Sequence, residues 1–349
     1  MTTTPIAVLD KGFVSLITEP DSDLKVVNAA RVSFKKTSQW VTELADPENP
    51  YSSRTFLHED DQRLIRYLAR HHHWTPFAHC SALVVFDEDE GDSALELAAQ
   101  PGVSTFLDPH LTFCRISLAH VTKNDHLSRY FDPSLHGHSI SALRGTEYLV
   151  NMTINSDWRE CPVLAPVTLH MKMPIFVARQ FMKHCVGVVY NEVSRRYVDE
   201  TPEFYVPDQW RGRPKNKKQG SDGVVDLSDA FRAAGPGKDA EFADPSQISA
   251  ALSTSLYGGL LDHGVAPEMA RMVLPVSMYT EFWATMGLRD AARIYALRKD
   301  PHAQMEIQAF AIAMNEAILT SQWAEFWPAI RDNTLKEYEV EQDPNRPSQ

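Results

Sequence analysis

Residues 179–197, RQFMKHCVGVVYNEVSRRY, place Arg179, Lys183, Arg195 and Arg196 against a single acid, Glu192. The segment is therefore +3 in a chain whose net charge is 34 − 46 = −12. Concentrated guanidinium and ammonium groups suit an anion, and phosphate above all. Asn191, Glu192 and Ser194 add an amide, a carboxylate and a hydroxyl, which match the polar edge of a base or a ribose. On charge alone a solvated basic helix end explains the run equally well. Other chemistries find no purchase. There is no G-x-G-x-x-G, no G-x-x-x-x-G-K-[ST], no G-x-S-x-G and no H-E-x-x-H, so a nucleotide or flavin must be held without a Rossmann turn or P-loop. Cys80, Cys114, Cys161 and Cys185 show no C-x-x-C spacing. His71, His72 and His73 are adjacent, and neighbours on a helix diverge by about 100°, so no metal is expected.

The elements that must carry these groups are legible in part. Residues 6–18 alternate and read as one or two strands turned at Lys11-Gly12, and Leu24–Val27 reads as extended. From Asp60 an amphipathic helix is predicted, with acids first and basic residues last. Ala82–Phe86 reads as a strand running into the acidic turn DEDEGD. Val167–Met173 reads as a second strong segment. Pro174 then opens a helix that points Arg179 and Lys183 the same way. Residues 211–244 are polar and Gly-rich and predict a mobile loop. From Pro245 the chain reads as helical to about 327, broken at Gly258-Gly259, Pro275 and Pro301, with a polar tail over 336–349. Trp283, Tyr295, Phe310, Trp323, Phe326 and Trp327 read as core or subunit interface. Met269, Met272, Met278 and Met286 read as gap fillers, and His302 with Glu306 as a pair at i and i+4. Composition is that of a globular protein, 43% hydrophobic and 23% charged. The acidic balance disfavours nucleic acid, no run suits a bilayer, and MTTTPIAVLD lacks the order of a signal peptide. A cytoplasmic protein with reduced thiols is expected.

The run HMKMPIFVARQFMKH, followed by YNEVSRRY, resembles the signature of the flavin-dependent thymidylate synthase family. So do, in order, VLDKGFVSLI with VVNAARVSF, HWTPFAHC, KNKKQGS, and RMVLPVSMYTEFWATMGLRDAARIYALRKDPHAQMEIQAFA. The resemblance implies an α/β (α+β) fold, a mostly antiparallel sheet packed with long helices. It implies one catalytic domain over 1–335, and a homotetramer with shared active sites. It implies reductive C5-methylation of a uridine monophosphate, with methylenetetrahydrofolate as carbon donor and FAD reduced by NADPH. Carried over by position, Arg298 polarises the pyrimidine and His73 borders the flavin and folate pocket. Gln180, Lys183, Glu192, Ser194, Arg196, Arg271 and Arg298 fall where the family holds the nucleotide. Thr75, Lys183, His184, Cys185, Glu192, Gly287, Arg289, Arg293 and His302 fall at or near flavin contacts.

The departures are specific. The family's R-H-R is Lys183-His184-Cys185 here, which removes two planar forks. One residue is added between His184 and Asn191, and Ala78 replaces a glutamate. Gly287 and Arg293 stand where asparagines are usual, and about 84–162 reads as an insertion. dUMP is the family's default substrate. A UMP-specific methylase of secondary metabolism and a non-catalytic nucleotide- or flavin-binding descendant are the alternatives.

Overall fold

The computed structural model describes residues 2–44, 53–99, 103–119, 157–198, 200–214, 220–227 and 244–341. Its centre is a five-stranded sheet. In spatial order the strands are β1 (Ile6–Val8), β2 (Gly12–Leu16), β8 (Pro166–Pro174), β12 (Tyr279–Gly287) and β9 (Val188–Glu192). Every pair is antiparallel. Gly12 is required at the first turn, because a Cβ there would lie 2.7 Å from the carbonyl oxygens of Val8 and Lys172.

The expected helical reading of 279–287 is corrected here. β12 is the second strand from one edge but is covered on both faces. Phe282, Ala284 and Met286 enter the main core, while Trp283 packs with Ile17, Ala29 and Val32 on the other face. A strand buried on both sides shows a continuous apolar run with no period-2 signal. The extended reading of Leu24–Val27 is also overturned. These residues belong to helix α1 (Asp23–Arg31), whose cap Ser22 accepts a hydrogen bond from the Lys25 amide. Almost the whole of α1 is buried, so no polar stripe advertises a helix.

Helix α2 (Glu59–Arg70) starts where its acids predict. Strands β3 (Trp40–Leu44) and β4 (Ser53–Leu57) form a hairpin before it. Strands β5 (Ser81–Phe86), β6 (Val103–Leu107) and β7 (Thr112–Ser117) form a second sheet in the order β5-β7-β6, packed by α3 (Gly91–Ala98). Helix α4 (Ile175–Phe181) leaves β8 directly after Pro174. The stretch expected to be a loop carries the short pair β10 (Arg211–Gly212) and β11 (Asp222–Val224). Residues 215–219 and 228–243 of it lie outside the described residues, as do 120–156 of the expected insertion. Helix α5 (Pro245–Asp262) runs unbroken through Gly258-Gly259, since a helix tolerates glycine at modest cost. Then come α6 (Pro267–Ala270), α7 (Leu288–Lys299), α8 (Met305–Leu319) and α9 (Trp327–Glu341). α9 carries helix past the expected tail boundary at 336, and 342–349 lie outside the described residues.

The main core lies between the central sheet and α7, α8 and α9, with Phe181, Phe282, Phe310 and Trp327 fully buried. A second joins α1 and α2 through Leu24, Val27, Ile65 and Phe77. A third, under the smaller sheet, holds Phe86, Leu97, Cys114 and Ile116. No described helix is long and apolar enough to cross a membrane.

Candidate active site

Helix α4 contributes to two groups of polar residues. Arg179, exposed on it, lines a cleft of about 610 Å³. The next residue, Gln180, turns away: its Nε2 donates to Gln304 Oε1 at 2.7 Å. Arg196 and Arg271 complete the cationic wall of the cleft, with Lys172, Glu192, Ser194 and Thr280 beside them.

Glu192, the last residue of β9, is fixed at both ends. Its Oε1 accepts from Thr280 Oγ1 at 2.5 Å, and its carbonyl accepts from Ser33 Oγ at 2.9 Å. Ser194 N donates to Ser33 O at 3.1 Å, so the short helix Val32–Phe34 is tied to the strand exit. Arg196 lies 5.0 Å above the Tyr197 ring, and Tyr197 stacks on Phe34 at 4.6 Å. Neighbouring cations are already used. Lys35 pairs with Glu200 at 2.5 Å, Lys172 with Glu203, and Arg195 donates to the Glu200 carbonyl at 2.5 Å. Arg179, Arg196 and Arg271 form no ion pair with a carboxylate among the described residues. Three guanidiniums on one wall, in a chain of net charge −12, define an anion site.

A second cleft, about 810 Å³, holds His73, Thr75, Tyr67 and Asn191. It shares Ser33, Glu192, Arg196 and Tyr197 with the first, so Glu192 and Arg196 stand on the ridge between them. The histidine run follows the end of α2 and is not helical. His71 caps it, and His72 takes a left-handed φ of 57°. Among the described residues no group of three His, Cys, Asp or Glu side chains gathers as a metal site.

Arg298, in the last turn of α7, does not line the arginine cleft. Its Nε donates to His184 Nε2 at 2.9 Å, and its Nη2 to the Gln180 carbonyl at 3.0 Å. The first contact requires a neutral imidazole. Burial, then the charges of Arg298 and Arg293, push His184 down to about 4. Lys183 and Cys185 are exposed on the turn beyond α4. Because the helix stops at Phe181, Lys183 does not continue its Arg179 face as expected. Arg293 donates to Val186 O at 3.2 Å, and Arg289 to Thr105 O at 3.1 Å. Gly287 is buried, and a Cβ on it would meet the Arg115 guanidinium at 3.2 Å. His302 bonds Asp300 at 2.9 Å, while Glu306 is buried and pairs with Arg211 at 2.5 Å, so the expected His302–Glu306 pair does not form.

Of the residues singled out in the sequence, Glu192, Ser194, Arg196 and Arg271 meet in one cleft. His73 and Thr75 lie across its ridge. Gln180, His184 and Arg298 are joined by hydrogen bonds away from the cleft lining, Arg293 holds the Val186 carbonyl, and Lys183 and Cys185 stand on the same turn. Gly287 and Arg289 face the smaller sheet, and His302 stands apart from these contacts. Lys172, Thr280 and Tyr197 line the cleft though sequence reasoning gave them no role, and Arg179 was read only as part of the basic segment and not assigned to the site. Arg179 lay in the basic segment itself, whereas Lys172 and Thr280 sit on strands with no local charge signal. Met272, expected as a gap filler, is 70% exposed and lines the cleft.

A family model described as "Thymidylate synthase complementing protein" matches residues 15–88 and 133–322. The unmatched stretch, 89–132, lies inside the expected insertion. The chain is 41% identical over 145 residues to the flavin-dependent thymidylate synthase of Thermosipho africanus, 42% of this chain and 59% of that protein. It is 30% identical over 305 residues to that of Thermosipho melanesiensis, covering 87% and 84% of the two chains. With that of Thermus thermophilus it shares 28% over 331 residues, covering 95% and 80%. Among solved structures, a UMP/dUMP methylase, PolB, from Streptomyces cacaoi aligns with a TM-score of 0.42 at 23% identity, covering 95% and 97%. With the family model matching most of the chain and a relative 30% identical over most of both lengths, this chain belongs to the flavin-dependent thymidylate synthase family and is an enzyme of that type.

Proposed function

We propose that the enzyme methylates C5 of a uridine 5′-monophosphate, dUMP by family default or UMP. The carbon comes from 5,10-methylenetetrahydrofolate, and the electrons from FAD reduced by NADPH. The observation that carries this reading is the wall of three guanidiniums without carboxylate partners beside Glu192 and Ser194. Arg179, Arg196 and Arg271 hold the 5′-phosphate. Glu192, oriented by Thr280, and Ser194 address the ribose or base edge.

Methylation at C5 requires electron density at that carbon, and an arginine at a pyrimidine oxygen stabilises the charge that develops. Arg298 has this role. Neutral His184 holds its Nε in place, so the guanidinium is aimed without a competing positive charge. The three buried cysteines do not serve as nucleophile. Burial pushes the Cys114 and Cys161 thiols up to about 11 and raises Cys80 further, so these three are protonated at neutral pH.

The donor set fits a flavin dinucleotide. Arg289 and Arg293 offer exposed forks for a diphosphate, and Tyr67, Phe34 and Tyr197 give the second cleft exposed aromatic surface for a ring system. When bound, FAD supplies the reducing equivalents. In one chain Arg298 is not among the residues that line the arginine cleft. The reading therefore takes each site as completed by a second copy, within a homotetramer.

The deciding experiment offers dUMP, UMP and dCMP in parallel, with methylenetetrahydrofolate, NADPH and FAD, and identifies products by mass spectrometry. A C5-methylated uridylate is expected, with dCMP unchanged. Flavin-loaded protein that methylates none of the three overturns the reading.

A further inference from the structure

The turn between α4 and β9 carries Lys183, His184 and Cys185, where two guanidinium forks of the family pattern are missing. It is also one residue longer than the pattern. Such a turn costs more to order and has fewer side chains to order it. Yet it is tied down by groups from outside its own motif. Arg115, on β7 of the smaller sheet, is 9% exposed and donates from Nη2 to the Gly187 carbonyl at 3.0 Å. The same nitrogen lies 3.7 Å from Asp290 Oδ2. Asp290 in turn accepts from Arg293 at 3.4 Å, and Arg293 reaches the Val186 carbonyl. Two successive carbonyls of the turn are thus held by two arginines that share one carboxylate.

The fit at Gly187 is close. Its φ is +72°, and any Cβ there would collide with the Asp290 carboxylate. A second strap comes from the same sheet, where Thr105 on β6 accepts from Arg289. Arg115 and Thr105 both lie in the stretch, 89–132, that the family model leaves unmatched. A guanidinium buried to this degree is expensive unless it is paired and hydrogen-bonded, and here Nη2 is shared between the turn and the Asp290 carboxylate.

We propose that Arg115 is a positioning residue. The smaller sheet supplies it to hold the 183–187 turn in the geometry that accepts the cofactor, in place of the forks lost at Lys183 and Cys185. The proposal rests on the flavin reading above. Its effect is on population: if the turn is competent for only a fraction of the time, the apparent dissociation constant rises by the inverse of that fraction.

The test compares full-length wild type, Arg115→Met and Arg115→Lys. It reads FAD affinity of the apoprotein by fluorescence, nucleotide affinity by calorimetry, and amide hydrogen exchange over 183–188. Arg115→Met is expected to weaken FAD about tenfold or more, to speed exchange in the turn, and to leave nucleotide affinity unchanged. Arg115→Lys keeps the charge but cannot span both acceptors, so it should show a smaller change of the same kind. Unchanged exchange and unchanged FAD affinity overturn the proposal, whether in both variants or in Arg115→Lys alone if Arg115→Met does not fold. Equal losses of FAD and nucleotide affinity also overturn it, since they report general damage. A wild type that binds no FAD sinks the flavin reading instead, and the exchange measurement then still decides whether Arg115 holds the turn.

Discussion

Arg179, Arg196 and Arg271 are charges the fold does not spend on its own carboxylates, so removing one should cost ligand and spare structure. Arg196→Ala and Arg271→Ala are each expected to raise the nucleotide dissociation constant by about 10- to 150-fold, the worth of a charge-assisted contact. Titration calorimetry checks this, and unchanged affinity in both variants would remove phosphate from the cleft. His184 makes a different prediction. Burial holds it at about 4 in the folded chain, against 6.5 for a free imidazole. As pH falls the unfolded chain takes the proton first, so the stability this residue contributes is complete above pH 6.5 and is lost as pH falls toward about 4. His79, held at about 3 by burial and by Lys25, acts with the same sign. Thermal midpoints measured across this window should decline for wild type and decline less for His184→Asn; identical slopes would mean that His184 titrates normally.

Among the elements, those that were legible had one exposed face or clear punctuation. Helix α2 shows its acids, its basic end and its stripe, and β8 is bracketed by Pro166 and Pro174. Misread were α1 and β12, each buried on every side, where periodicity has no polar half to contrast with. The site divides in the same way. Glu192, Ser194 and Arg196 come from one local motif and were visible. Lys172 and Thr280 enter through strand pairing, and Arg115 through a separate sheet, so no spacing in the sequence connects them. The turn after α4 is where the proposed reading has element and cofactor meet. Lys183→Arg with Cys185→Arg should tighten FAD, because two bidentate forks replace one flexible charge and none. Fluorescence titration decides it. Sub-micromolar binding by the parent, with no gain in the double variant, would show that the straps from Arg115 and Arg293 already suffice.

At the scale of the whole molecule, Arg298 bonds the Gln180 carbonyl and His184 and is not among the residues that line the arginine cleft of its own chain. If sites are completed between copies, Arg298→Ala chains, inactive alone, and Arg271→Ala chains, weakened in nucleotide binding, should regain activity at sub-saturating nucleotide when co-expressed as mixed oligomers. Light scattering would establish that the mixed species form, and inactivity of such oligomers would place each site within one chain. The apolar interior holds a large core, which Phe113 of β7 joins, and a small separate cluster between β5, β6, β7 and α3, and this bears on how the protein comes apart. A small cluster protects its backbone less than a large one and opens as a subglobal unit at lower free energy. Arg115 travels with that unit. On heating, the smaller sheet should open while the main core is intact, taking the brace off the 183–187 turn. The yellow colour would then leave the protein before tryptophan fluorescence reports the main transition, and a two-channel melt would resolve the order. The same sheet that steadies the cofactor would make its retention the first function that heat removes.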